Sequence, residues 1–274
     1  VFSRRISNAQ HHEGFARRGK EGARAVMDGG FFWACAIVAA VAVGMGKGGL
    51  PVVAMLSVPV LSLAVSPVTA AGLLLPVYVL SDAFGLYAYR HSIDRRVFAI
   101  LMVGVTIGVG LGWATATITP EWAVTALVGV IGTVFALRLL LKRGMVEPRK
   151  AEVAPGVFWG TLTGFTSFVN HSGGPPYQIY VLPLGLSKMV YAATSTVLFA
   201  YLNVIKLVPY WALGQFSPGN LTVSALLMPL AAISVFAGVK LVKIIPERLF
   251  FQIVNWALLA ISLKLIWDGL SAAS

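Results

Sequence analysis

Apolar residues in this chain run in long stretches without the alternation of barrel strands, and polar residues collect between them. The runs cover about residues 30–46, 50–65, 67–89, 97–117, 121–141, 156–170, 175–186, 188–212, 221–242 and 247–267. A bilayer core asks for ~20 apolar residues per helix. The runs at 67–89, 97–117, 121–141, 188–212, 221–242 and 247–267 meet or approach that length. The other four are short and flank two glycine-rich breaks. One break reads Gly44-Met45-Gly46-Lys47-Gly48-Gly49-Leu50-Pro51, the other Asn170-His171-Ser172-Gly173-Gly174-Pro175-Pro176. Hydrocarbon tolerates irregular backbone only where protein covers it or where it lines a polar cavity. The short runs therefore read as half-helices or a re-entrant hairpin. A pair of breaks at matching places in two halves is the best sequence pointer to a transporter binding site.

The two halves repeat. Gly48-Gly49 matches Gly173-Gly174, and Pro51 matches Pro176. Ile118-Thr119-Pro120-Glu121 matches Ile244-Ile245-Pro246-Glu247, each opening a last helix with proline in the first turn and glutamate at its positive end. The expected fold is all-α: a polytopic transmembrane bundle of two homologous four-segment halves, each with a glycine-broken first helix. The expected division is a basic polar segment at 1–29, a first membrane repeat at 30–145, a cytoplasmic linker at 146–154 and a second repeat at 155–270. Arg90, Arg95 and Arg96, then Lys142, Arg143, Arg149 and Lys150, then Lys240, Lys243 and Arg248 mark three loops as cytoplasmic, while 113–121 and 213–220 carry no Lys or Arg. That pattern implies inverted repeats. The basic residues Arg4, Arg5, Arg17, Arg18, Lys20 and Arg24 argue the other way unless that stretch lies along a headgroup surface.

Composition narrows the class. The chain is 58% hydrophobic and 11% charged, against about 25% charged in soluble domains. The net charge of +11 sits between apolar runs, as membrane loops place it, so nucleic acid is not an expected partner. The single cysteine, Cys35, excludes an internal disulfide and reads as a small buried hydrophobe. No metal and no cofactor is expected. Gly46-Lys47 is followed by Gly-Gly and not by Ser or Thr, so it is not a nucleotide loop. No nucleophile–base pair beyond a forced His171-Ser172 points to an enzyme.

Few polar residues lie at membrane depth. Lys47 sits in the first break, where a lysine costs roughly 3 kcal/mol and needs a reason. It suits an anionic substrate beside exposed backbone N–H groups; the alternative is a snorkelling or paired lysine. Asp82 is the one carboxylate well inside a long run. It is either a proton carrier or the counter-charge of Lys47 or Lys206. His171, between Asn170 and Ser172, can donate to an oxyanion or titrate, or simply hold the break. Thr194, Ser195 and Asn203 share a helix and read as a polar lining or as interhelical glue. Tyr78, Tyr177, Tyr180, Tyr201, Tyr210 and Trp211 could shape a pocket, though most suit interface or packing positions.

GMGKGGLP at 44–51 resembles the glycine signature of the TauE/SafE sulfite exporter family, and NHSGGPP at 170–176, AATS at 192–195, Asn203 and KLVPY at 206–210 resemble one of its subgroups. Ala71-Gly72 stands where many members carry Thr-Ser, and the basic N-terminal stretch is atypical. The resemblance implies a secondary transporter with two four-helix halves and a sulfur-anion cargo such as sulfite, sulfoacetate or another organosulfonate. It implies an anion site at Gly46, Lys47, Gly48 and Gly49 and at Asn170, His171, Ser172, Gly173 and Gly174, to which Asn203 and Tyr177 are added. Asp82 and His171 are the candidates for proton coupling. The expected setting is a bacterial cytoplasmic membrane, multi-pass, with a small anion and the bilayer as partners; a homo-oligomer is left open. The competing readings are an uncoupled anion channel and a carrier of a non-sulfur organic anion.

Overall fold

The computed structural model describes residues 29–116, 118–141, 148–212 and 218–273. The basic segment before Gly29, Lys142 and Arg143 lie outside these residues. In chain order the helices are α1 (Gly30–Lys47), α2 (Pro51–Ala54), α3 (Ser57–Leu61), α4 (Pro67–Tyr89), α5 (Arg95–Ala114) and α6 (Glu121–Leu141). The second half has α7 (Val153–Asn170), α8 (Gly174–Val181), a 3-10 turn (Leu182–Leu184), α9 (Lys188–Ala212), α10 (Pro218–Ile244) and α11 (Glu247–Ala273). No strand occurs among the described residues. Local signals place the ends: Ser66 accepts from Thr69 N–H ahead of Pro67, and Asp94 accepts from Val97 N–H to cap α5.

The six long apolar runs are all helices long and apolar enough to cross a bilayer. A seventh is α1, which the pattern assigns to a short half-helix. Its 18 residues end at Gly48 through a turn and not for want of length. The chain then folds back. Leu61, Val58 and Ala64 pack in one cluster with Phe32, Cys35 and Ala36, so α2 and α3 return along α1. In the second half α7 descends, and α8 with the 3-10 turn returns in the same manner: Tyr180 Oη donates to Glu152 O at 2.9 Å, next to the start of α7.

The halves interlock. α1 lies parallel to α10, with Gly44 against Ala231 and Ser234 and Gly48 against Val235 and Gly238. α7 lies parallel to α5, with Gly104 against Val157, Gly108 against Thr161 and Gly112 against Phe168. Glycines four residues apart let the backbones approach closely, which is how helices gain packing where lipid offers no hydrophobic drive. Each first helix thus packs on the third long segment of the other half. α4 and α9 cross antiparallel between them, joined by Asp82–Asn203 and by Thr196 against Gly85.

α6 and α11 form a separate antiparallel pair, with Gly129 against Ser262 and Gly269 against Ala126. Only 22% and 28% of their spanning residues are buried, against 61% in α4 and α9. The pair meets the rest of the molecule at one end, where Tyr191 of α9 meets Phe250 and Phe251 at 5.9 and 5.7 Å and Lys188 N–H donates to Glu247 at 3.1 Å, and at mid-helix, where Gly132 of α6 packs against Pro175 of α8. The exposed apolar faces, Leu127, Val130, Val134, Ile253, Trp256 and Trp267 among them, suit a lipid surround.

Candidate functional site

Both breaks turn the chain through a left-handed residue. At the first, α1 closes on itself: Gly48 N–H donates to Gly44 O at 2.8 Å, Gly49 N–H to Gly46 O at 3.1 Å and Leu50 N–H to Met45 O at 3.3 Å. Gly49 has φ +102°, a region that glycine enters freely. Tyr89 Oη donates to Gly48 O at 2.6 Å and seals the turn. At the second break His171 itself takes φ +60°, the one non-glycine residue with positive φ among the described residues. Its N–H donates to Ser167 O at 3.2 Å, and Ser172 N–H donates to Thr166 O at 3.3 Å.

These bonds correct one expectation. The N–H groups of Gly48, Gly49 and Leu50 close α1 and are not offered to an anion. In α8 Pro175 and Pro176 stand at the first turn, where they lack N–H groups altogether. At the first break side chains, not a backbone nest, carry the polar character of the site.

Lys47 ends α1, where a cation complements the negative end of the helix. It is 4% exposed, and its Nζ lies 2.6 Å from Asp82 Oδ1. Asn203 Nδ2 donates to Asp82 Oδ2 at 2.8 Å. Of the readings open for Asp82, the counter-charge of Lys47 is the one the geometry displays. Thr196 Oγ1 donates to Lys47 O at 3.2 Å and ties α9 to the first break.

A second buried cation stands opposite. Lys206 Nζ, fully buried, donates to Ser167 O and Ser167 Oγ at 3.2 Å and lies 3.4 Å from His171 Nδ1. His171 Nε2 lies 3.0 Å from Tyr210 Oη, which itself donates to Phe168 O at 3.2 Å. With an ammonium donating to Nδ1, the network assigns the imidazole proton to Nε2. Tyr78 bridges the two clusters. Its ring stacks on His171 at 6.2 Å, and Lys47 Nζ lies 5.2 Å from its centroid. Its hydroxyl donates to Ala54 O at 3.2 Å and contacts Ser57.

Where the breaks meet lies a cavity of about 480 Å³. Lys47, Tyr78, His171, Gln178, Ser195 and Asn203 line its depth. Glu121 and Trp122 of α6 and the ion pair Lys264–Asp268 of α11 line the end near solvent. The α6–α11 pair forms one wall and the interlocked body the other. Gly46, Ser172, Gly174 and Tyr177 also face this space. Gly48, Gly49 and Gly173 do not line it: they pack against α10, the Tyr89 hydroxyl and Thr163. Asp82 stands behind Lys47, off the cavity wall. Asn170 ends α7, and its side chain lies outside the described residues. Thr194 accepts from Asp94 N–H at 3.0 Å, so it serves as interhelical glue. Sequence reasoning passed over Gln178 and Ser167. The available signal for Gln178 was an uncharged polar residue inside a short apolar run. No group of three or more potential metal-ligating residues occurs among the described residues.

The sulfite exporter TauE/SafE family model matches residues 31–265. No curated protein and no solved structure matches the chain.

Proposed function

The chain belongs to the TauE/SafE sulfite exporter family, whose members are membrane transporters and not enzymes, and from that premise we propose that it is a secondary transporter of a sulfonate or small sulfur oxyanion. The observation that carries the reading is a buried lysine, Lys47, facing a cavity of about 480 Å³ where the two breaks converge. A charge-assisted hydrogen bond from an ammonium to an oxyanion is of the strong kind, and Asn203, Ser172 and Ser195 line the same cavity. A bacterial cytoplasmic membrane is the proposed setting.

Four pairs of equivalent helices run in opposite senses, and we read them as inverted repeats. The cavity reaches solvent at the Glu121 and Asp268 end. The other end is closed by Tyr89 on Gly48, Asp94 on Thr194 and the Tyr191 aromatic cluster. A site open to one side and closed to the other suits a carrier better than a channel. The interlocking of first and third helices resists movement of one whole half against the other. The α6–α11 pair, packed mainly on itself, is the better moving body.

We assign proton coupling to Asp82 ahead of His171, because Asp82 is the group whose charge holds Lys47. A proton on Asp82 would release Lys47 toward an arriving anion, so that proton and anion enter together. Flux in proteoliposomes under an imposed pH gradient tests this: Asp82→Asn should transport without responding to the gradient. A wild-type flux indifferent to the gradient would remove coupling from the reading. Thermal shift of the purified protein across sulfite, thiosulfate, alkanesulfonates and matched carboxylates tests the cargo. A shift for a sulfur anion that Lys47→Ala abolishes is expected, and no shift for any sulfur anion would overturn the assignment.

A further inference from the structure

Gln178 is 1% exposed and lines the cavity, yet neither its amide nitrogen nor its amide oxygen has a hydrogen-bond partner among the described residues. Buried polar side chains are almost always paired. A glutamine serving as interhelical glue would hold a neighbouring helix; this one holds none. The fold does not need an amide there either. With Pro51 matching Pro176, the counterpart of Gln178 in the first half is Val53. The amide is therefore not a feature of the repeated scaffold. α8 presents Gly174, Tyr177 and Gln178 to it on one face, at the spacing of a helical turn.

Resting on the transporter reading above, we propose that Gln178 determines specificity and that the cargo is a short organic monosulfonate bearing a second group that both gives and accepts a hydrogen bond, a hydroxyl or a carboxamide. The amide sets this requirement. Its nitrogen donates and its oxygen accepts, and both are unpaired. A hydroxyl answers both at once. A carboxylate only accepts and would leave the amide oxygen bare, and an ammonium only donates and would leave the nitrogen bare. A bare alkyl tail would answer neither. Size points the same way. The cavity lies within the ~300–1,000 Å³ range of organic-ligand pockets, well beyond what a single inorganic oxyanion fills. Lys47 is the one cation among the residues that line the depth of the cavity, so one anionic group on the cargo has a direct partner there. A second carboxylate on the cargo would enter without a partner.

The test is isothermal titration of the purified full chain with isethionate and with ethanesulfonate, which differ by one hydroxyl, for the wild type and Gln178→Leu. A second pair, 3-hydroxypropionate and propionate, makes the same comparison without sulfur. The wild type should favour isethionate by roughly tenfold to a hundredfold, the range of one buried hydrogen-bonding requirement. In Gln178→Leu the preference should vanish through weaker isethionate binding, with ethanesulfonate held or improved. The variant should also unfold at the same or a higher temperature, since no protein partner is lost. Equal binding of the two sulfonates by the wild type, an unchanged preference in the variant, or a marked loss of its thermal stability would each overturn the proposal. If neither sulfonate binds while 3-hydroxypropionate is favoured over propionate in a Gln178-dependent way, the role of Gln178 stands and the sulfur-anion reading fails. If no member of either pair binds, both fail.

Discussion

The two breaks make the same turn by different means. In the first half Gly49 takes the left-handed position, and the turn is held by close packing: a methyl group on Gly48 would run into the backbone of α10, and one on Gly49 into the Tyr89 hydroxyl. The charge stands two residues earlier on Lys47 and is matched by Asp82. In the second half a histidine takes the left-handed position, and the turn is held by polar bonds to Lys206 and Tyr210. Its cation sits on the facing helix, with no carboxylate within ion-pair distance among the described residues. Steric fit and an ion pair secure one half, and a hydrogen-bond network secures the other. The two breaks thus share a turn while the groups that secure them differ.

That contrast can be broken at four points. The largest effect is expected from Lys47→Met, which leaves Asp82 buried without its cation and should cost about 3–5 kcal/mol. Adding Asp82→Leu should recover most of it, because an apolar pair often replaces a buried ion pair without loss. Thermal unfolding in detergent reads both. Gly49→Ala comes next: at φ +102° and against Tyr89 it should lose roughly 3 kcal/mol by the same measurement. Lys206→Met removes a cation that has no paired carboxylate and strands only hydrogen-bond acceptors. Its cost should be roughly 2 kcal/mol, below that of Lys47→Met; a larger loss would make the second half as dependent on charge as the first. The smallest is His171→Gly. Relief of backbone strain offsets the lost bonds, leaving stability within about 1 kcal/mol of wild type, while anion binding measured by titration should fall.

The long helices were legible because each needs only an unbroken apolar run, and the breaks were legible because glycine and proline punctuate them. The full length of α1 was not, since its run stops at a glycine-closed turn and looks short by hydropathy alone. Pro76 and Pro229 lie inside α4 and α10, where the runs show no interruption. The membership of the site was half legible. Lys47, His171 and Asn203 stood out as polar residues at depth. Asp82 stood out with them as a counter-charge for Lys47, but the partners of His171 did not: Lys206 and His171 are 35 positions apart and meet because α9 packs on the end of α7. Tyr78 looked like a packing aromatic, and only the convergence of the breaks places its ring between Lys47 and His171. Spacing along one helix cannot report which faces of distant helices meet.

The aromatic anchor at Tyr191, Phe250 and Phe251 gives the α6–α11 pair the mechanics of a lever. From Phe251 to Ala272 the helix extends roughly 30 Å at 1.5 Å per residue. A tilt of about 10° at the anchor moves the far end by roughly 5 Å, a span comparable to a small anion. In the proposed transport cycle, a few ångströms of sliding around three rings, and of α6 past Pro175 of α8, would open the cavity while the Lys47–Asp82 pair stays in place.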